Sequence, residues 1–113
     1  MSAIESDTDS KLKNLSIRAS TWFSEQDAMM NPADVNWIWI QGDRGISVRE
    51  MNDSWGNAIR YYGKNDGFEL RSSGTDGNFY TKDDIFRIQR FDSNSVRLRT
   101  YLFYRVPVRY AYR

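Results

Sequence analysis

The segment 73–84 concentrates residues that can do chemistry. Three carboxylates lie between Asp76 and Asp84, among hydroxyls, an amide and two glycines. Ca²⁺ takes about six to eight oxygen ligands, often carboxylates mixed with main-chain carbonyls, and glycine lets a loop curl its carbonyls inward. The segment is not an EF-hand loop, because Thr81 stands where that loop has glycine and the closing glutamate is missing. The residue types leave two interpretations open: a calcium-binding loop, or a solvated turn in which Asp83 and Asp84 cap the next element.

The composition excludes several kinds of site. The 113 residues include no histidine and no cysteine, which removes disulfides, thiolate nucleophiles, histidine-based catalytic triads and the usual zinc ligands. Adjacent acids such as Asp83 and Asp84 seldom keep the separation that paired acid and base catalysis needs. We therefore expect no enzymatic activity, and the hard cation Ca²⁺ is the cofactor that the remaining groups suit.

Charge is distributed unevenly along the chain. Residues 1–85 carry 9 basic and 14 acidic side chains, whereas residues 86–113 carry seven arginines and one aspartate. The basic part also holds seven aromatic residues. The basic segment 86–113 has three possible interpretations: an exposed arginine row on added strands, a contact with the acidic part of a neighbouring subunit, or a surface for single-stranded nucleic acid. The candidate interaction residues are Arg97, Arg99, Arg105, Arg109 and Arg113.

A single amphipathic helix is predicted to precede the loop. After a polar lead over 1–9, apolar residues recur every three to four positions, and the helix is predicted over 10–31, with Ser10 or Asp9 as its cap and Asn31-Pro32 as its stop. The stripe comprises Leu12, Leu15, Ala19, Trp22, Phe23 and Gln26, and it either packs in the core, continues an upstream helix or lies against a partner. Trp37–Ile40 is predicted to form either a short buried strand or a turn of helix.

An antiparallel sheet with the ion loop is predicted over 58–104, and a basic aromatic tail over 105–113. Alternating apolar residues indicate strands over 58–62, 68–72, 85–91 and 96–103, with a hairpin loop over 63–67. A helix followed by such strands is typical of a single α+β domain.

Five short motifs follow one another in a fixed order. They are Asp53-Ser54-Trp55-Gly56-Asn57, Ile59-Arg60-Tyr61, Asp66–Leu70, Ser72–Gly77 and Asp83–Ile85. Over 53–85 this series resembles the C-terminal half of the major pseudopilin of type II secretion systems. The chain departs from that family in a loop with fewer glycines and in about 28 further residues after Ile85.

The resemblance implies a pilin-like fold, with an N-terminal helix packed on a small antiparallel sheet and a C-terminal calcium loop. Carried over to matching positions, it implies side-chain ligands from three acids, carbonyl ligands from Ser73 and Thr81, and Asn78 as a sixth ligand. The acids are Asp76, Asp83 and Asp84. Trp55 would anchor the core beside the loop, and Gly56 would permit a tight turn.

The function implied by the resemblance is structural. The protein would polymerise into an envelope filament that drives protein secretion, with partners in its own copies, other pseudopilins and inner-membrane components of the secretion system. It would take no small-molecule substrate, and nucleic acid is not expected. It would lie on the periplasmic side of the cell envelope, its full-length form anchored in the inner membrane by a hydrophobic N-terminal helix that this chain does not contain. The alternative is a binding module that uses the arginine-rich tail to hold nucleic acid or another acidic polymer.

Overall fold

The computed structural model describes residues 2–26, 30–91 and, for the backbone alone, 101–105. In this part of the chain an N-terminal helix packs on an antiparallel sheet, so the predicted α+β class is confirmed. Two 3₁₀ turns, Pro32–Asp34 and Arg49–Met51, lie between the longer elements. Those elements are α1 (Ala3–Ser24), α2 (Trp37–Asp43), β1 (Arg60–Lys64), β2 (Gly67–Ser72), β3 (Ile85–Phe91) and β4 (Tyr101–Arg105).

Helix α1 begins earlier and ends earlier than the predicted range 10–31. Ser2, rather than Ser10 or Asp9, is its cap: the Ser2 hydroxyl accepts from the Glu5 amide at 3.2 Å, and the Glu5 carboxylate accepts from the Ser2 amide at 3.0 Å. This reciprocal pair satisfies two amide groups that a helix start leaves open. Most of the predicted polar lead over 1–9 therefore forms the first turns of the helix.

The inner face of α1 contributes five residues to the hydrophobic core, so the core packing predicted for its apolar stripe is confirmed. The five apolar residues of that stripe are buried, and Gln26 is half-buried. The ring of Phe23 stacks on Phe68 of β2 with centroids 5.6 Å apart, and it meets Phe91 of β3 edge-on at 5.3 Å. No helix in the described part of the chain is long and apolar enough to cross a membrane.

The sheet has the strand order β1-β2-β3-β4 with antiparallel neighbours throughout. The hairpin between β1 and β2 is tighter than the predicted loop over 63–67, because Lys64 already pairs with Gly67 and only Asn65 and Asp66 form the turn. The predicted strand over 85–91 is confirmed as β3. Of the predicted strand over 96–103, residues 96–100 lie outside the described residues, and residues 101–103 lie in β4.

The segment Trp37–Ile40, predicted as a strand or a helical turn, is the start of α2. The Asn36 side chain caps this helix by accepting from the Ile38 amide at 3.0 Å. Ile40 points into the core, whereas Ile38 and Trp39 are exposed. The short helix thus buries one side only.

Candidate functional site

The segment 73–84 forms the connection between β2 and β3 and lies over the sheet face opposite α1. Residues alternate between the two faces of a strand, so Phe68 and Leu70 meet the core while Glu69 and Arg71 face the loop. The Arg60 guanidinium lies 4.0 Å from the centroid of the Phe79 ring. The sheet therefore carries its core on one side and the candidate site on the other.

Arg71 occupies the centre of this second side and is almost completely buried, at 5% exposure. Its Nη1 lies 3.0 Å from Asp84 Oδ2, and its Nε lies 2.8 Å from Glu69 Oε2. The guanidinium carbon also lies 4.1 Å from the Phe86 ring centroid and 4.9 Å from that of Tyr80. We call these five residues the Arg71 cluster.

Asp84 is fully buried and uses both carboxylate oxygens inside the protein. Besides the contact with Arg71, its Oδ2 accepts from the Tyr80 amide at 2.7 Å. Its Oδ1 accepts from the Thr81 amide at 3.4 Å and from the Thr81 hydroxyl at 3.3 Å. A buried carboxylate needs a counter-charge and hydrogen-bond donors, and Asp84 has both without a metal ion.

Of the other predicted calcium ligands, only Thr81 is bonded to the Asp84 side chain among the contacts of the described residues. Asp76, Asn78 and Asp83 are exposed, and Asp76 Oδ1 accepts from the Asn78 amide at 2.9 Å. Ser73 is buried, and its hydroxyl has no hydrogen-bond partner among the described residues. The structure thus brings Thr81 to Asp84 and Asn78 to Asp76 as two separate pairs.

Tested against a hard cation, the predicted ligand set fits in part. Within residues 2–26 and 30–91, no group of three or more acidic side chains converges to hold a metal ion. The exposed carboxylates of Asp76 and Asp83 suit such an ion, and so do main-chain carbonyls of the loop. Asp84 fits less well as a ligand, because each of its oxygens already accepts from two protein donors, which accounts for the roughly four acceptor sites of a carboxylate.

Tight backbone contacts close the loop at its two ends. Gly74 has φ +72°, and a methyl group added there would lie 2.1 Å from the carbonyl oxygen of Asp83. Tyr80 also has a left-handed backbone, with φ +64°, which is costly for a residue with a bulky side chain. The hydrogen bond from the Tyr80 amide to Asp84 holds this conformation in place.

The turn 53–57 connects the loop to the rest of the fold through a second buried carboxylate. Asp53 Oδ1 accepts from the amides of Trp55 and Asn57 at 3.0 and 2.8 Å. Its Oδ2 accepts from the Ser72 hydroxyl at 2.6 Å, and that hydroxyl accepts from the Gly74 amide at 3.1 Å. A chain of hydrogen bonds thus runs from the turn through the end of β2 to the start of the loop.

The two residues expected to shape this turn behave differently. Gly56 has φ +85°, the conformation that favours glycine and that a tight turn uses. Trp55 is only half-buried at the edge of the core. The turn also reaches α1, since the Ser54 amide donates to the Thr8 hydroxyl at 3.1 Å.

Sequence reasoning missed the members of the Arg71 cluster other than Asp84. A usable signal was present, because two charged residues two positions apart, Glu69 and Arg71, lie in an otherwise apolar strand. That spacing puts both on one face. A pair of opposite charges on a strand face next to an aromatic loop indicates a buried ion pair.

Most of the interaction residues predicted in the tail lie in parts of the chain that the structure does not describe. Arg97, Arg99, Arg109 and Arg113 lie outside the described residues. Arg105 ends β4, where its backbone is opposite Arg87 of β3. A binding module built on these arginines stays a prediction.

In comparisons with known proteins, no family model, no curated protein and no solved structure matches the chain. The resemblance to the major pseudopilins accordingly rests on the ordered motifs within 53–85.

Proposed function

We propose that this protein is a structural subunit of a pilin-like filament, similar in its work to the major pseudopilin of type II secretion systems. The observation that carries the proposal is the order of parts. A helix of 22 residues packs by one face on an antiparallel sheet, and the motif-bearing loop joins two strands of that sheet. The partners that follow are further copies of the chain, other pseudopilins and the inner-membrane secretion machinery, at the periplasmic side of the envelope.

The outward face of α1 supports assembly through helices. Ser10, Asn14, Ile17 and Thr21 are exposed and recur every three to four residues, so they form an uncharged stripe. Ile17 is 51% exposed. A neighbouring helix can pack on such a stripe without removing a charge from water, which is the costly step in burying a polar surface.

We propose a structural role for calcium at the loop. Asp76 and Asp83 would supply carboxylate oxygens, Ser73 and Thr81 carbonyl oxygens, and Asn78 its amide oxygen. When bound, the ion would neutralise the two exposed carboxylates. It would stabilise the folded chain by mass action, by about 2.7 kcal/mol at a hundredfold excess over Kd.

Self-association of the chain tests the filament proposal. Sedimentation velocity from micromolar to millimolar protein should show concentration-dependent oligomers of the wild type. Ile17→Lys should abolish them, because a charge then enters the helix contact. Val48→Lys changes a residue that is 74% exposed and lies outside α1, so it should leave association intact. Monomers at every concentration, or equal loss in both variants, would count against assembly through α1.

Thermal unfolding tests the calcium proposal. Excess Ca²⁺ should raise Tm by several degrees over excess chelator, and Mg²⁺ should not. The double variant Asp76→Asn with Asp83→Asn should lose this rise, whereas Asp34→Asn, at an exposed position in the first 3₁₀ turn, should keep it. The same Tm in calcium and in chelator would remove the ion from the proposal and leave the filament.

A further inference from the structure

We propose that the Arg71 guanidinium is the cation that closes the loop 73–84, so that the loop is closed without calcium. This inference rests on the proposed function in one respect, the calcium ion, whose role it limits to the exposed side of the loop. Arg71 itself is inferred from contacts that the structure shows. It acts as a positioning residue for the loop backbone.

Among the described residues, the ion pairs around Arg71 join equal numbers of cations and anions. Arg71 faces two carboxylates, Glu69 and Asp84, and Lys64 Nζ lies 4.0 Å from Glu69 Oε1. Two cations therefore meet two anions. A divalent ion placed on Asp84 would lie within a few ångströms of the buried guanidinium, where like charges repel strongly. At Asp84, where the resemblance implies a calcium ligand, the counter-charge is thus already supplied by Arg71.

The geometry suits a guanidinium better than a compact ion. A planar guanidinium donates to carboxylates within its plane and stacks on rings through its faces. Arg71 does both, donating to Glu69 and Asp84 while lying against Phe86 and Tyr80. The ion pair between Arg71 and Asp84 is also deeply buried, so solvent screens it little.

The contacts form a closed circuit that fixes the loop. The Arg71 guanidinium donates to the Asp84 carboxylate, and this carboxylate also accepts from the Tyr80 amide. The Tyr80 ring in turn lies against the Arg71 guanidinium. Tyr80 has a left-handed backbone, and such strain persists only where surrounding contacts determine the conformation. Calcium at Asp76 and Asp83 would therefore bind a loop that is already formed.

Amide hydrogen exchange, measured by NMR on the full chain, tests this inference. The amides of Tyr80 and Thr81 report on closure, because both donate to Asp84. In excess chelator they should stay protected in the wild type, and they should remain so in Asp83→Asn, which leaves the Arg71 cluster untouched. Exchange at the rate of an open peptide in chelator, with protection only in Ca²⁺, would overturn the inference.

Variants at Arg71 give the second arm. Without Arg71, the buried carboxylates of Glu69 and Asp84 would repel each other. Arg71→Met is therefore combined with Glu69→Gln, which keeps the local net charge. This double variant should exchange the Tyr80 and Thr81 amides at least tenfold faster while the amides of β3 stay protected. Arg71→Lys should fall between it and the wild type, since it keeps the charge and loses the planar donors.

Unchanged protection at Tyr80 and Thr81 in a folded double variant would also overturn the inference. None of these substitutions touches the outward stripe of α1 that the sedimentation experiment tests. Loss of the filament proposal would therefore leave the role of Arg71 standing, and the reverse holds as well.

Discussion

At the scale of single residues, burial separates aspartates of identical chemistry into two kinds. Asp53 and Asp84 are 2% and 0% exposed, and each binds several donors from the turn or loop around it. Asp76 and Asp83 are exposed. A buried carboxylate is stable only where the fold supplies donors, so the first kind organises backbone and the second is available to ions or solvent.

This division could not be predicted from the sequence. The spacing of Asp76, Asp83 and Asp84 correctly marks an acidic loop, and the alternation of β2 correctly marks Phe68 and Leu70 as core. Whether Asp84 turns inward depends on which face of the sheet the loop crosses. That choice is set by contacts with Arg71 and Tyr80, and the spacing of the three aspartates does not encode it.

At the scale of elements, periodicity predicted the inner face of α1 and missed its start. The stripe from Leu12 to Phe23 is buried because it follows the helical repeat. The first turns, from Ala3 to Asp9, carry few apolar residues and so give no periodic signal. Their helical form follows instead from the Ser2–Glu5 capping box, a signature that is local and readable in retrospect.

The first 3₁₀ turn, Pro32–Asp34, makes a close backbone contact with β1. The Tyr61 hydroxyl donates to the Pro32 carbonyl at 2.8 Å, and burial raises the pKa of Tyr61 well above its usual range. A methyl group at Gly63 would lie 2.1 Å from that same carbonyl oxygen. The strand therefore needs glycine for packing rather than for an unusual φ.

Gly63→Ala should lower the free energy of unfolding by about 1–3 kcal/mol, the usual cost of forcing extra volume into a packed site. Gly42→Ala is the matched control, because nothing lies within 4 Å of a methyl group there. Since Gly42 lies in α2, alanine should stabilise the chain by up to about 1 kcal/mol. Urea unfolding midpoints measure both; a Gly63→Ala variant as stable as the wild type would contradict the contact with Pro32.

At the scale of the whole molecule, polar contacts hold α1 in place along its length. Near its start, Asp9 pairs with Arg87 of β3. In its second half, Arg18 donates to the Arg44 carbonyl at 2.9 Å. At its end, Glu25 pairs with Arg44, and the Arg44 guanidinium lowers the pKa of that carboxyl. The orientation of the helix on the sheet is therefore specified by charge as well as by the core.

Among these contacts between charged side chains, the pair Asp9–Arg87 should contribute most to the free energy of unfolding. Arg87 Nε and Nη2 each lie 3.1 Å from one oxygen of Asp9, a bidentate contact between side chains that are 14% and 9% exposed. Bidentate arginine–carboxylate pairs are the strong ones, and partial burial limits their screening by salt. It also joins residues 78 positions apart in the sequence, so it constrains the fold as a whole.

A double-mutant cycle measures this contribution. Asp9→Ala and Arg87→Met should each destabilise the chain, and urea unfolding should give a coupling energy of about 1–3 kcal/mol, typical of residues in direct contact. The cycle on Arg18 and Glu50 is the control, because those side chains are 26% and 46% exposed with atoms 3.3 Å apart, and exposed pairs contribute less than about 1 kcal/mol. Equal coupling energies in the two cycles would show that α1 is oriented by its apolar face alone. A larger coupling energy for Asp9–Arg87 would mean that the start of the helix is fixed to β3 by charge. That contact would then keep the outward stripe of α1 in one position on the surface.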